Sequence, residues 1–325
     1  MASVVTTRAH RRAFPAARRG TLIVVDLTIP DVVRRKAAVE GRADWLAALP
    51  ELVDELAAEW GLDIGDVLDG GTEALVLAAV DASGAPCVLK LLVPRAARDL
   101  VADEITVLRL AAGRGCVRLL RSDAQRGALL VERLGPSMAD VGLPYAQRLA
   151  ILADLAAALW RPAPDVGLPT GAAKAATLAE GILTRWEALG RPCAESAIAH
   201  ALDGAARRAA AFDPDRARLL HGDVHQWNAL RTAAGGWALI DPDGLRAEPE
   251  YDLGVLLRED PLEFLAEGPS WRAEWLAART GCDAAAIADW GALERVSTGL
   301  LAVEIGLEPV GTQMLRAAEA AAASR

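Results

Sequence analysis

The sequence predicts an α+β fold in which a small β-rich unit precedes a larger, mainly helical one. Three observations carry that prediction. Apolar residues recur at three-to-four spacing from Pro30 to Trp60, then give way to short continuous runs between Leu62 and Leu92. Past Pro136 the helical spacing returns and continues almost to the end of the chain. Inside that helical stretch two short apolar runs, Leu219-Leu220 and Trp237 to Ile240, each deliver a polar cluster at their downstream end.

In the first stretch Val32, Val33, Ala37 and Val39 lead towards Trp45, Leu49, Leu52, Leu56 and Trp60. Pro50 is expected to open a second helix at its first turn, and Gly61 to end it. Gly70-Gly71 reads as a turn, Ala74 to Val80 as a strand, and Asp81 to Gly84 as a hairpin loop. Pro86 to Val93 is the returning strand and contains Lys90. A lysine amid apolar residues is costly unless its ammonium meets anions; otherwise the strand lies at an edge and Lys90 points to water. The next helix, Ala97 to Gly113, leaves Asp103 and Glu104 either to reach back to Lys90 or to face solvent. Cys116 to Leu120 and Ala128 to Val131 are two more strands, and the β texture stops at Glu132 to Gly135.

Beyond Pro136, helices are expected over Pro144 to Trp160, Ala172 to Leu189 and Glu195 to Phe212. After the two short apolar runs they continue over Tyr251 to Arg258, Pro261 to Thr280, Ala284 to Trp290 and Ala292 to Gln313. The organisation expected is a disordered tail over 1–29, a helical preface with the β-rich unit over 30–134, and the helical unit over 135–325.

Composition narrows the function. A net charge of −9 argues against a general nucleic-acid binder, since phosphate backbones are gripped by a basic surplus. It suits a cationic small substrate as well as it suits plain solubility. The four cysteines, Cys87, Cys116, Cys193 and Cys282, are scattered without a CxxC pair, so a reducing cytoplasm is expected and neither zinc nor disulfides are. No apolar run approaches the roughly 20 residues that span a bilayer. His10 to Phe14 faintly echoes a twin-arginine signal, but the apolar stretch Leu22 to Val25 stops at Asp26, too short for one; a disordered tail or an upstream start codon is the expectation. Only three of the 35 basic residues are lysine, and Asn228 is the only asparagine. Lys90 and Asn228 therefore stand out against their background.

The chemistry gathers between Arg218 and Gly244. His221-Gly-Asp223 is followed by Asn228 after four residues, and the second run ends in Asp241-Pro-Asp243-Gly. Two carboxylates and a carboxamide brought together by short strands suit a magnesium ion and a phosphoryl group. Asp223 would face an acceptor hydroxyl, Asn228 would offer an amide oxygen to the metal, and Asp241 would be the main carboxylate ligand. Other readings stay open. His221 and His225 could be a zinc pair at i,i+4, although Gly222 and the strand-like entry speak against a helix there. Asp241-Pro-Asp243 could be a manganese-binding D-x-D. His221 could be a structural histidine bonded to backbone. No P-loop or GxGxxG occurs; Gly70-Gly71-Thr72 could bring amides to a phosphate or be a plain turn.

The ordered set Lys90, a helix acid, His221-x-Asp223-x4-Asn228 and Asp241 resembles the protein-kinase-like phosphotransferases. With HGD in the catalytic loop it is similar to the aminoglycoside phosphotransferase branch. The segments LDGGTEALVL, CVLKLL, LLVERLGPS, LLHGDVHQWNAL and EPEYDLGVLLRED are similar to antibiotic resistance kinases of the streptomycin 6-kinase and hydroxyurea phosphotransferase type. Trp45 to Pro50 shares the likeness, which covers about Pro30 to Ala320.

The resemblance implies a two-lobed protein-kinase-like fold using ATP and Mg2+. It implies Asp223 as the acceptor-facing base and Asn228 and Asp241 as magnesium ligands. Lys90 would hold the phosphates and pair with Glu104 in preference to Asp103. Gly70 and Gly71 would be a reduced phosphate loop, backbone groups around Glu132 and Leu134 would meet adenine, and Asp252 would support the catalytic loop from within. The expected partner is a small, cationic hydroxyl acceptor, streptomycin-like, with Glu259, Glu304 and Glu308 as acceptor contacts by position. No nucleic acid or membrane partner is expected, and the chain would be a monomer or dimer. The alternatives are a kinase of another metabolite or natural product (a nucleoside antibiotic, a sugar, hydroxyurea) and a non-catalytic nucleotide-binding protein.

Overall fold

The alternation of side chains along one strand decides where Lys90 goes. In the computed structural model, which describes residues 27–68, 71, 73–95 and 100–324, the chain opens with helices α1 (Asp31–Val39) and α2 (Ala43–Trp60). The antiparallel strands β1 (Asp63–Val67), β2 (Ala74–Val80) and β3 (Pro86–Leu92) follow. Helix α3 (Leu100–Ala111) and strands β4 (Leu119–Asp123) and β5 (Ala128–Glu132) complete a five-stranded sheet of order β1-β2-β3-β5-β4. Successive strand residues face opposite sides. Leu89 and Leu91 thus join Leu75, Leu77 and Leu130 under Leu49, Val53 and Leu56 of α2. Lys90 is left on the other face, opposite Val76 and Leu129 and on the side of α3. Burying Leu89 and Leu91 completely contributes about 1.5–3 kcal/mol each, and a one-residue slip would take both from under α2 and put Lys90 into that apolar core instead. Strand β3 is central, and the edge-strand alternative for Lys90 does not hold.

Two local expectations fail. Helix α2 starts at Ala43, so Pro50 lies inside it and not at its first turn. A proline there removes one backbone bond, but Leu49, Val53 and Leu56 hold the helix on the sheet on both sides of it. Strand β4 begins at Leu119 and not at Cys116; Cys116 instead makes a lone parallel bridge to Leu239. The expected stop at Gly61 is present, with the residue in the left-handed conformation (φ 68°). The reading of a disordered tail falls almost wholly on residues 1–26, outside the described residues.

The second part is mainly helical. After the short α4 (Met138–Val141) come α5 (Tyr145–Leu159), α6 (Gly171–Ala188) and α7 (Glu195–Ala211). Four short strands follow where two were expected: β6 (Arg218–Leu220), β7 (Ala229–Arg231), β8 (Trp237–Leu239) and β9 (Leu245–Ala247). They pair as two ribbons, β6 with β9 and β7 with β8. The chain ends with α8 (Glu250–Arg258), α9 (Pro261–Glu267), α10 (Trp271–Thr280), α11 (Ala284–Glu304) and α12 (Val310–Ala323). Gly268, at φ 93°, and Pro269 divide the single helix expected over 261–280. Conversely, Gly291 does not interrupt α11, because it is there to let another helix close in. A Cβ on Gly291 would lie 2.5 Å from Leu257 Cδ2, and one on Gly254 would lie 2.3 Å from Trp290 Cβ. Helices α8 and α11 thus cross at two glycines.

Gly254→Ala should therefore overpack this crossing, since the new methyl would also meet the Trp290 carbonyl carbon at 2.9 Å, which cannot rotate away. The expected cost is about 1–3 kcal/mol, read as a lower urea midpoint at unchanged slope. A midpoint equal to the parent's would show that the crossing is looser than described.

Candidate active site

A buried acid on α8 organises the loop after β6. Asp252 is completely buried and accepts three hydrogen bonds: from the Gly222 N–H (2.8 Å), the His221 N–H (3.2 Å) and the Trp160 indole N–H (3.0 Å). Burial pushes its carboxyl up, against the opposing pull of these donors. Gly222 sits at φ 88°, and a Cβ there would be 3.0 Å from Asp243 Cβ, so glycine serves both the turn and the close approach. His221 is buried too. Its Nε2 lies 3.0 Å from the Ile240 carbonyl and its Nδ1 accepts the Asp223 N–H at 3.2 Å, which assigns the proton to Nε2 and leaves the ring neutral. It is the structural histidine the sequence allowed for.

Asp223 follows. Its Oδ1 takes Arg258 Nη2 at 2.5 Å, and its Oδ2 is near His225 Nε2 (3.1 Å) and Asn228 Nδ2 (3.2 Å). Burial alone would raise this carboxyl, but Arg258 and His225 outweigh it and hold the group far below the usual carboxylate range. Arg258 itself lies among three carboxylates, Asp223, Glu294 (3.1 Å) and Glu259 (3.4 Å). His225 Nδ1 accepts the Trp227 N–H, so both of its nitrogens are used, as are those of His221. Among the described residues no group of three or more His, Cys, Asp or Glu side chains is arranged to hold a metal, and the zinc reading finds no ligand set.

Asn228 donates its amide nitrogen to the Asp223 carbonyl (3.1 Å) and carboxylate, which turns its amide oxygen away from that pair. Its own carbonyl accepts the Ile240 N–H at 2.8 Å, extending the β7–β8 pairing by one step. That step brings Asp241, the next residue, beside the loop. Asp241 adopts the left-handed conformation (φ 57°), tolerated by Asp, and places Oδ1 2.8 Å from Lys90 Nζ. Lys90 also donates to both oxygens of Glu104, at 2.8 and 2.7 Å. Glu104 and not Asp103 is thus the partner on α3. Burial works against the lysine's charge, but Asp241 and Glu104 raise its pKa well above the ordinary value. The same burial pushes Glu104 up to about 7, with Lys90 pulling the other way.

The remaining expectations divide. Gly71 is a close approach: a Cβ would be 2.6 Å from the Ala74 carbonyl oxygen and 2.8 Å from Val76 Cγ2, on the residue paired with Lys90. Gly70 and Thr72 lie outside the described residues. The Arg133 N–H bonds to the Pro86 carbonyl, so Glu132 turns its backbone the other way, where its N–H meets the Arg118 carbonyl. Leu134 is half-buried against the central core. Asp243 lies 3.6 Å from Lys174 of α6. Glu259 reaches the cluster through Arg258, whereas Glu304 pairs with Arg185 and Glu308 bonds to the Thr312 N–H. Arg258, Glu294 and Trp160 were not anticipated. The one available signal was an arginine directly after the apolar run Leu253 to Leu257.

The chain as a whole is similar to known proteins. The family model of the aminoglycoside/hydroxyurea antibiotic resistance kinases matches residues 61–304. The chain belongs to this family. It is a phosphotransferase of the small-molecule kinase type. A hydroxyurea phosphotransferase of Kitasatospora aureofaciens is 33% identical over 290 residues, covering 89% of this chain and 83% of the relative. A streptomycin 6-kinase of Streptomyces glaucescens is 32% identical over 289 residues, covering 86% and 91%. The fold is that of a thermostable mutant of aminoglycoside phosphotransferase APH(4)-Ia, solved as a ternary complex with ADP and hygromycin B. That likeness has a TM-score of 0.56 at 17% identity and covers 83% of this chain and 97% of the other. The protein-kinase-like two-lobed fold is thereby established. Among the described residues no helix is long and apolar enough to cross a membrane.

The neutral state of His221 gives this antibiotic resistance kinase family member a pH signature. Burial holds the ring's pKa below its ordinary 6.5, so the unfolded chain binds a proton that the folded one does not. Its contribution is fully present above about pH 6.5 and is lost as pH falls towards the folded-state value, at up to about 1.4 kcal/mol per pH unit. The urea midpoint should fall between pH 7 and pH 5.5, and less steeply in His221→Gln. Equal slopes would mean that His221 is not the group responsible.

Proposed function

We propose that the protein transfers the γ-phosphoryl group of ATP, with Mg2+, to a hydroxyl of a small cationic natural product, a streptomycin-like aminoglycoside. The observation that carries this reading is one connected cluster. Lys90 and Glu104 from the sheet side meet Asp241, and the Asn228–Ile240 backbone bond joins Asp241 to the loop of Asp223. Transfer of this kind asks a protein for positioning and charge neutralisation more than for covalent chemistry.

In this reading Lys90 neutralises the donor phosphates and Glu104 fixes its direction. The amide oxygen of Asn228 and the carboxylate of Asp241 fit magnesium, which takes few protein oxygens and keeps water and phosphate for the rest. The ion would neutralise charge that builds on the phosphoryl oxygens. Asp223 orients the acceptor hydroxyl and takes its proton. Because Arg258 and His225 keep it ionised, its role lies in alignment as much as in basicity. Gly71 supplies the close backbone approach at the phosphates, and backbone groups at Glu132 and Leu134 meet adenine. Residues 30–134 form the nucleotide lobe and 135–325 the acceptor lobe.

A cationic acceptor is supported by the charge around Asp223. Three carboxylates, Asp223, Glu259 and Glu294, gather on Arg258, and the chain as a whole carries a net charge of −9. Hydroxyurea is the second reading, supported by the relative of that name at 33% identity.

An acceptor panel assayed by coupled ADP release separates these readings. Release is expected with streptomycin and not with hydroxyurea, and a host expressing the chain should gain streptomycin resistance. Asp223→Asn should lower kcat by roughly 100- to 10,000-fold while ATP binding persists, and unchanged turnover would remove Asp223 from its role. Chelation of Mg2+ should abolish turnover and readdition restore it. Asp241→Asn should raise the Mg2+ concentration required, and an unaltered requirement would place the metal elsewhere.

A further inference from the structure

Three consecutive residues between α5 and β6 bond to three different parts of the site. The Trp160 indole holds Asp252, and with it the loop of Asp223. Pro162 bridges to Arg218 at the start of β6, and the Arg161 carbonyl accepts the Leu219 N–H at 2.9 Å. The Arg161 side chain leaves this junction for α3. Its Nη2 donates to the Ala111 carbonyl at 3.1 Å, its Nη1 to the Leu110 carbonyl, and its Nε back to the Leu159 carbonyl at 3.3 Å.

These bonds are all to backbone carbonyls, and no carboxylate is among them. The last carbonyls of a helix lack intrahelical partners and the helix dipole places negative charge there; the Ala111 carbonyl also accepts the Arg114 N–H at 3.0 Å, so Arg161 is its second donor. A guanidinium answers both needs, and its planar fork spans two adjacent carbonyls where an ammonium would meet one. Glu104 lies on the same helix seven residues before Ala111, about 10 Å along the axis. Apolar packing of Val101, Ile105 and Leu108 keeps α3 in place but has no direction, whereas bonds to two carbonyls fix its position along its own axis. The segment after α3 is fastened to the same machinery. The Leu239 N–H bonds to the Gly115 carbonyl at 2.9 Å and the Val117 N–H to the Leu239 carbonyl at 2.8 Å, two residues before Asp241.

We propose that Arg161 is a positioning residue for nucleotide binding: it ties the end of α3 to the junction that also seats the Asp223 loop, and so sets Glu104 against Lys90. The inference rests on the reading of Lys90 as the phosphate-binding residue. It makes the junction a strut between the nucleotide-side helix and the acceptor-side loop, with Arg161 acting through Glu104 and not on the nucleotide itself.

The test is calorimetric titration of the full chain with AMP-PNP in Mg2+, comparing wild type, Arg161→Met, Glu104→Gln, the double variant and Lys90→Met. Arg161→Met should weaken binding roughly tenfold, and hydrogen exchange should quicken at the last turn of α3. If Arg161 acts through Glu104, the double variant should bind no more weakly than the weaker single variant. Arg161→Lys, which keeps the charge without the fork, should fall between wild type and Arg161→Met. Should the methionine variant not fold, Arg161→Lys decides by the same titration and exchange measurements. Wild-type affinity in a folded Arg161 variant, or losses that multiply in the double variant, would overturn the inference. Lys90→Met binding AMP-PNP as tightly as wild type would overturn the reading of Lys90 itself, a result distinct from either.

Discussion

The carboxylate of Asp252 is the constraint on which the site depends. It is ionisable and completely buried, and an unpartnered charge there would cost several kcal/mol. Its three donors offset part of that cost, but only if Gly222 turns its N–H inward and Trp160 leaves α5 with its indole pointing at α8. The loop conformation is therefore imposed by the acid's need for donors. Once Gly222 is turned, the Asp223 N–H falls to His221, and the Asp223 side chain is delivered to Arg258 at the far end of the same helix.

Helix α8 thus serves the loop at both ends, and its own placement is over-determined. Gly254 and Gly291 let it approach α11 without a side chain between them. Its C-terminal end is covered by two buried arginines. Arg272 donates to the Glu259 carbonyl at 2.5 Å and the Asp260 carbonyl at 3.2 Å, and Arg295 donates to the Leu257 carbonyl. Both stack on Phe264. Burial and the neighbouring Arg272 push Arg295 down to about 9, still high enough to stay charged at neutral pH. Cations at the negative end of a helix repay part of their own burial, and here they also fix the residue, Arg258, that orients Asp223.

Much of this was legible in the sequence because the informative signals are local. Lys90 in an apolar strand, the lone Asn228, and acids at the ends of short apolar runs each declare themselves within a few residues. The spacing leaves Asp103 and Glu104 both open, and Glu104 is preferred only through the family resemblance and its place in the helix. What stayed hidden depends on contacts distant in sequence. Gly291 reads as a break until Leu257 is seen against it, and Pro50 reads as a helix start until the sheet is seen holding α2 on both sides. Arg258 looks like a surface residue after an apolar run. Only the fold shows that it is shared by carboxylates 35 residues upstream and 36 downstream.

The Lys90 cluster shows how such a site can be both held and open. Lys90 has two carboxylate partners, yet they are unequal. Glu104 offers both oxygens and is nearly excluded from water, its side chain 6% exposed, whereas Asp241 offers one oxygen and its side chain is 46% exposed. A half-exposed ion pair contributes little, about 0–1 kcal/mol, so Asp241 can leave Lys90 at small cost, while breaking the Glu104 pair would strand a buried charge. In the proposed reaction this asymmetry assigns the exchange. If donor phosphates took up the lysine's charge, Asp241 would be the partner released, and its carboxylate would then be free to hold magnesium. Glu104 stays, and the direction of Lys90 stays with it.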